Sequence, residues 1–197
     1  MEKRDIANKL FAQTRQDLLN AVGKLDDTHM SELLRIADAV DCSWAQCGKL
    51  MVCGNGGSAS DAQHIVAELV GRFEEERQAF AAMALTVNSS TMTAVSNDYG
   101  FDFAFARQVE GLGGENDILL VISTSGNSAN CIKAVESARK KGIICFGFLG
   151  RDGGALLELL DGAVVVPSNN TPRIQELHIT MGHLLCQILE QWQQDKS

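Results

Sequence analysis

Hydrophobic positions follow two rhythms along the 197-residue chain, and the change between them comes near residue 49. Before it, Ile6, Leu10, Phe11, Leu18, Leu19 and Val22 recur at helical spacing over residues 3–22. Leu33, Leu34, Ile36, Ala37 and Val40 do so again over about 30–44. Spacings of three and four put each set on one helix face. Two amphipathic helices ahead of the first strand either cover a sheet or meet another subunit, and the length of the apolar face favours the interface. From Lys49 onward, short apolar runs alternate with helical stretches. Strands are expected at 49–53, 82–85, 117–122, 143–149 and 163–166, with helices near 58–71, 89–96, 103–111, 127–141 and 173–193. This alternation, with strands so apolar, predicts an α/β protein: a three-layer sandwich around a mostly parallel five-stranded sheet covered on both faces. No Pro/Ser-rich linker or low-complexity segment interrupts the chain. One domain over 1–197 is therefore expected, with residues 1–47 as a helical N-terminal extension used in oligomerisation.

Ligands of open α/β sheets bind outside the carboxyl ends of the strands. Three stretches rich in small polar residues are expected there: Gly54-Asn55-Gly56-Gly57-Ser58, Asn97-Asp98, and Ser123-Thr124-Ser125-Gly126-Asn127-Ser128. The first joins a strand to a helix, so it presents bare backbone N–H groups and a helix N-terminus to an anion. The same turn fits a loose dinucleotide fingerprint, but the next strand, AAMALT, ends without the Asp or Glu that would take a ribose hydroxyl. A Walker loop is excluded because no Gly-Lys-Ser/Thr follows. The hydroxyls of Ser123, Thr124, Ser125 and Ser128 can cap the following helix, yet four exceed what a cap requires. Together with exposed N–H groups they make a phosphate nest.

Composition narrows the partners. A formal net charge of −8 argues against non-specific nucleic-acid binding and leaves any phosphate to be held by backbone and hydroxyl donors. The six cysteines, at 42, 47, 53, 131, 145 and 186, include no C-x-x-C pair and no zinc-finger spacing, which reads as reduced core thiols. The opening MEKRDIANKL has no apolar h-region, and no run approaches the length of a membrane span. The expectation is a cytoplasmic enzyme or binding protein.

Two stretches carry side chains suited to acid–base or metal chemistry. His64 and Glu68 lie four apart on one helix face, the spacing of an ordinary surface pair and equally of two metal ligands. The last helix offers Gln175, Glu176, His178 and His183. Gln175 and His183 are eight apart, so they point about 80° apart and sit roughly 12 Å apart along the axis. Periodicity alone pairs Gln175 with His178.

The segments CGNGGS, DAQHIVAELVGRF, SND, STSGNSAN and RIQELHITMGH together resemble the phosphoheptose isomerases of the sugar isomerase (SIS) superfamily, over nearly the whole chain. The resemblance implies the SIS fold and a homotetramer. It implies conversion of D-sedoheptulose 7-phosphate to D-glycero-D-manno-heptose 7-phosphate, toward the heptose of bacterial lipopolysaccharide core. It implies one zinc per subunit, with His64, Glu68, Gln175 and His183 as ligands, and Glu68 as base with His183 as acid. It assigns sugar-phosphate contacts to Asn55, Gly56, Gly57, Asn97, Asp98, Ser123, Thr124, Ser125 and Ser128. Ser58, Glu68 and Gln175 are counted with them as candidate substrate contacts. The chemistry is coherent, since moving a carbonyl between C1 and C2 through an enediol needs a carboxylate base, an imidazole acid and an electrophile for the oxyanion. Just before RIQE, where some members carry a substrate-contacting aspartate, this chain has Pro172, whose side chain accepts no hydrogen bond. The rival is a non-catalytic SIS regulator that binds the replication initiator. Such regulators lack the catalytic carboxylate, whereas Glu68 and His183 are both present here.

Overall fold

The computed structural model describes residues 2–194. Helices α1 (Lys3–Val22) and α2 (Asp27–Ala45) precede β1 (Leu50–Gly54). The chain continues through α3 (Gly57–Val70), β2 (Ala82–Ala84), α4 (Ser89–Tyr99), a 3-10 turn (Phe101–Phe103), α5 (Ala106–Leu112) and β3 (Ile118–Ser123). It ends with α6 (Ala129–Lys140), β4 (Ile144–Gly150), α7 (Gly154–Leu157), β5 (Gly162–Val166) and α8 (Thr171–Gln194). The five strands run in the order β2-β1-β3-β4-β5, and every pairing is parallel.

Successive residues of a strand face opposite sides, and here both sides are apolar. Ile118, Leu120 and Ile122 of β3 point into a core shared with Leu33, Ile36 and Val40 of α2, Ile65 and Leu69 of α3, and Leu185 and Leu189 of α8. Leu119 and Val121 point the other way, into Phe105, Val109 of α5 and Val135 of α6. All residues of β1 and β3 are buried, which explains why their sequences read as unbroken apolar runs.

Order reverses between β1 and β3, so this is the switch point of the sheet, and the loops leaving their carboxyl ends open a crevice. The register pairs Gly54 with Ile122, which brings the glycine turn and the serine-rich loop side by side.

Several expectations need correcting. Asn97 and Asp98 are not a loop at a strand end. They form the last turn of α4, which continues to Gly100, a glycine at φ 91°. The expected helix over 103–111 divides into a 3-10 turn and α5. The short α7 was not expected, because GALL between glycines is too brief to show a period. Cys42 and Cys47 are exposed, and only Cys53, Cys131, Cys145 and Cys186 are core thiols; all six are free. Much of α1 stands clear of the fold, with Leu10 62%, Phe11 71% and Leu19 58% exposed. Among the described residues no helix is long and apolar enough to cross a membrane.

Candidate functional site

Helices α3 and α8 lie against each other, and Gly182 allows the close approach: a Cβ there would stand 2.7 Å from Ile65. One residue beyond, His183 Nε2 comes 3.3 Å from His64 Nε2, and the two rings meet edge to face at 4.9 Å. Glu68 Oε1 lies 3.1 Å from the same His64 nitrogen. Residues 119 positions apart in sequence thus converge on one atom.

Hydrogen bonding cannot satisfy that atom on both sides. If His64 Nε2 carries the proton and donates it to Glu68, it has no lone pair left for His183; if it accepts from His183, it faces the carboxylate lone pair to lone pair. A cation between the three would take all their lone pairs. Ligand bonds of about 2.0–2.2 Å give a tetrahedron edges of ~3.3–3.6 Å; the His64–His183 separation matches the short end and the His64–Glu68 separation lies just below it. Among the described residues no group of three or more His, Cys, Asp or Glu side chains is gathered so that it could hold a metal ion by itself. What exists is two edges sharing His64, with donors of the nitrogen and oxygen type.

Gln175 stands two turns before His183, and its amide packs on Gly57, where any Cβ would collide with it. This contact puts Gln175 against the glycine turn. His178, which periodicity paired with Gln175, faces the opposite way. It is buried, with Nε2 at 2.9 Å from the Leu149 carbonyl, and burial holds its pKa down to about 4 although that carbonyl works against the shift.

The anion cradle has two walls. At the first, α3 begins at Gly57 with no side chain capping its N-terminus; Ser58 is buried beneath the turn, while Gly56 and Gly57 are exposed. At the second, α6 begins after Ser128, and again no side chain caps it. The serine-rich loop therefore does not spend its hydroxyls on capping. Ser123 Oγ lies 3.1 Å from Ser128 Oγ, and Ser125 Oγ accepts from the Asn127 N–H. The loop is clamped from outside: the Ala155 N–H donates to Asn127 Oδ1, and the Leu156 N–H to the Gly126 carbonyl. The short α7 is that clamp.

Asn130 joins the walls, and sequence reading missed it. Its buried amide exchanges two 2.8 Å hydrogen bonds with the Asn55 amide, fixing Asn55 while leaving it one N–H and one lone pair for a ligand. Asp61 was also missed, although it lies one turn before His64 on α3. Its Oδ2 is buried without a partner among the described residues, and burial lifts its pKa to about 6 against the opposing pull of His64. Asn97 and Asp98 are exposed on α4 and bonded to each other at 2.8 Å. No described hydrogen bond joins them to the other site residues. Pro172 is exposed in the first turn of α8.

A family model described as a SIS domain matches residues 13–150. A phosphoheptose isomerase of Helicobacter pylori strain P12 is 54% identical over 94% of this chain and 95% of its own. One from Rhodospirillum rubrum is 48% identical over 92% of this chain and 95% of its own. The solved structure of a phosphoheptose isomerase from Francisella tularensis superposes with a TM-score of 0.87, at 40% identity over 97% of this chain and 100% of that one. The chain belongs to the phosphoheptose isomerase family of SIS-domain proteins.

Proposed function

We propose that the protein interconverts D-sedoheptulose 7-phosphate and D-glycero-D-manno-heptose 7-phosphate, supplying heptose for lipopolysaccharide core or another cell-surface glycan. The observation that carries this reading is the meeting of Glu68 and His183 at His64, beside two uncapped helix N-termini. The phosphate end of the substrate is held by backbone N–H groups of the Gly56-Gly57 turn and the hydroxyls of Ser123, Thr124, Ser125 and Ser128. Such donors suit a protein that is acidic overall. Asn55, fixed by Asn130, reads a sugar hydroxyl.

At the other end Glu68 takes the proton from C1, leaving an enediol, and returns it to C2. His183 delivers a proton to the oxygen at C2 as the enediol forms, and takes one back from the C1 hydroxyl as the carbonyl forms there. His64, Glu68, Gln175 and His183 would hold a zinc ion, and the fit is supported by their donor types and by the contacts that no proton placement at His64 satisfies. Bound there, zinc supplies positive charge for the developing oxyanion.

The reading extends to a cytoplasmic homotetramer. Support comes from the exposed apolar side chains of α1, and from three concavities of about 890, 540 and 430 Å³ none of which is lined by the candidate site residues. A neighbouring subunit would then wall the site and bring it Asn97 and Asp98. The test is conversion of sedoheptulose 7-phosphate with and without a chelator. Loss on chelation and recovery with zinc support both halves of the proposal; full activity in the chelated, metal-free protein removes zinc, and no conversion under any metal removes the isomerase.

A further inference from the structure

Between α3 and β2 the chain crosses residues 71–81 without regular structure, yet one buried ion pair organises it. The Glu190 side chain, 1% exposed, accepts hydrogen bonds from the backbone N–H groups of Phe73, Glu74 and Glu75 at 3.3, 3.0 and 3.1 Å, and from Arg77 Nε at 2.9 Å. Burial alone would raise its pKa; these four donors hold it below the usual carboxylate value.

The Arg77 side chain, 7% exposed, uses four of its five N–H bonds. Besides Glu190, it donates to the carbonyls of Leu69 and Gln78 at 3.0 Å each and of Glu68 at 2.8 Å. Its guanidinium lies 3.8 Å over the Phe80 ring. The last carbonyls of a helix have no partner within it, and a cation there complements the helix dipole. Arg77 fills that role for α3, and one of the carbonyls it grips belongs to Glu68 itself.

The other half of the site is reached by the same device. Phe73, whose N–H is held by Glu190, places its ring 5.6 Å from that of His183. Glu190 lies seven residues beyond His183 on α8, two turns along the same face. A buried ion pair is weak evidence for stability, since its Coulomb energy is largely offset by desolvation. Here its donors end on the backbone of one proposed acid–base residue and on the ring neighbour of the other.

We propose that Arg77, locked by Glu190, is a positioning residue that sets the Glu68 carboxylate against His183 and the substrate carbon. The inference rests on the isomerase reading above. Lysine at position 77 keeps the charge but loses the fork that reaches two carbonyls and a carboxylate together.

The test is steady-state isomerisation by the purified assembly, using sedoheptulose 7-phosphate with hydrogen or deuterium at C1, for wild type, R77K, E190Q and K49M. Lys49 pairs with Asp117 at 2.6 Å just before β1, and neither side chain bonds Arg77, Glu190 or the last turn of α3, so K49M is a control for loss of a half-buried ion pair. Misplacing a base by a fraction of an ångström should lower the kcat of R77K by ~10- to 100-fold, with KM within about twofold and a larger isotope effect on kcat. E190Q should shift kcat and the isotope effect in the same direction by a smaller amount, and it keeps the inference testable if R77K does not fold. K49M should lose thermal stability with kcat and isotope effect unchanged. Unchanged kcat in both R77K and E190Q overturns the proposal, as does a loss matched by K49M with no change in isotope effect, the signature of fewer folded sites. Wild-type protein that fails to convert the substrate overturns the isomerase reading instead.

Discussion

His64 shows what one side chain reveals and conceals. Its i+4 relation to Glu68 is visible in the sequence, because helix geometry alone makes those positions neighbours. Its contact with His183 is not, since that depends on α8 packing over Gly182 in three dimensions. Gln175 is concealed for the same reason: its partner is the backbone of Gly57, on another element. His178 illustrates the opposite error, a ligand type in a plausible register that turns into the core. It yields a prediction. Its folded pKa of about 4 lies below the ordinary value of 6.5, so only the unfolded chain takes up this proton as pH falls between the two. Stability should drop as pH falls from about 6.5 to about 4, by up to about 3 kcal/mol from this residue. His178→Gln, which can still donate to the Leu149 carbonyl, should flatten that part of a Tm-against-pH curve; parallel curves for the two proteins would contradict the assignment. Asn130, Asp61 and Arg77 gave no sequence signal, because an amide, a carboxylate and a guanidinium on a helix or loop are most often solvated.

At the level of elements, apolar runs flanked by glycine and small polar residues located all five strands and most helices to within a few residues. Misreadings fell where length or chemistry weakened the pattern: four-residue α7, the break between the 3-10 turn and α5, and Asn97-Asp98, whose polarity suggests a loop that the helix overrides. The loop after β3 carries the second prediction. Neither Ser123 nor Ser128 caps α6, and the bond between their hydroxyls uses only one of the two O–H groups, which leaves the other for a phosphate; a hydrogen bond to a charged group is worth ~1.5–3 kcal/mol. Ser128→Ala should raise KM about tenfold or more with kcat little changed, because the phosphate is held equally in ground and transition states. A fall in kcat at constant KM would place the serine in the chemistry instead. Asn130→Ala should act through Asn55 and weaken binding of the sugar phosphate while leaving the fold intact by circular dichroism.

On the scale of the whole molecule, the parallel sheet and its switch point decide where the crevice lies, and α1 carries the exposed apolar side chains on which the proposed assembly depends. Exposed Leu10 and Phe11 have no counterpart in the core of this chain. Replacing both with Glu should shift the protein to smaller assemblies in sedimentation and lower activity in parallel; an unchanged assembly would mean that α1 serves another purpose. In the proposed reaction the cluster at His64 performs proton transfer on a heptose phosphate bound in that crevice. Turnover and sugar-phosphate binding measured together on Glu68→Gln test it most directly. With Glu68 as the base, kcat should fall by at least ~10³-fold with binding retained. Turnover near the wild-type rate in that variant would contradict it.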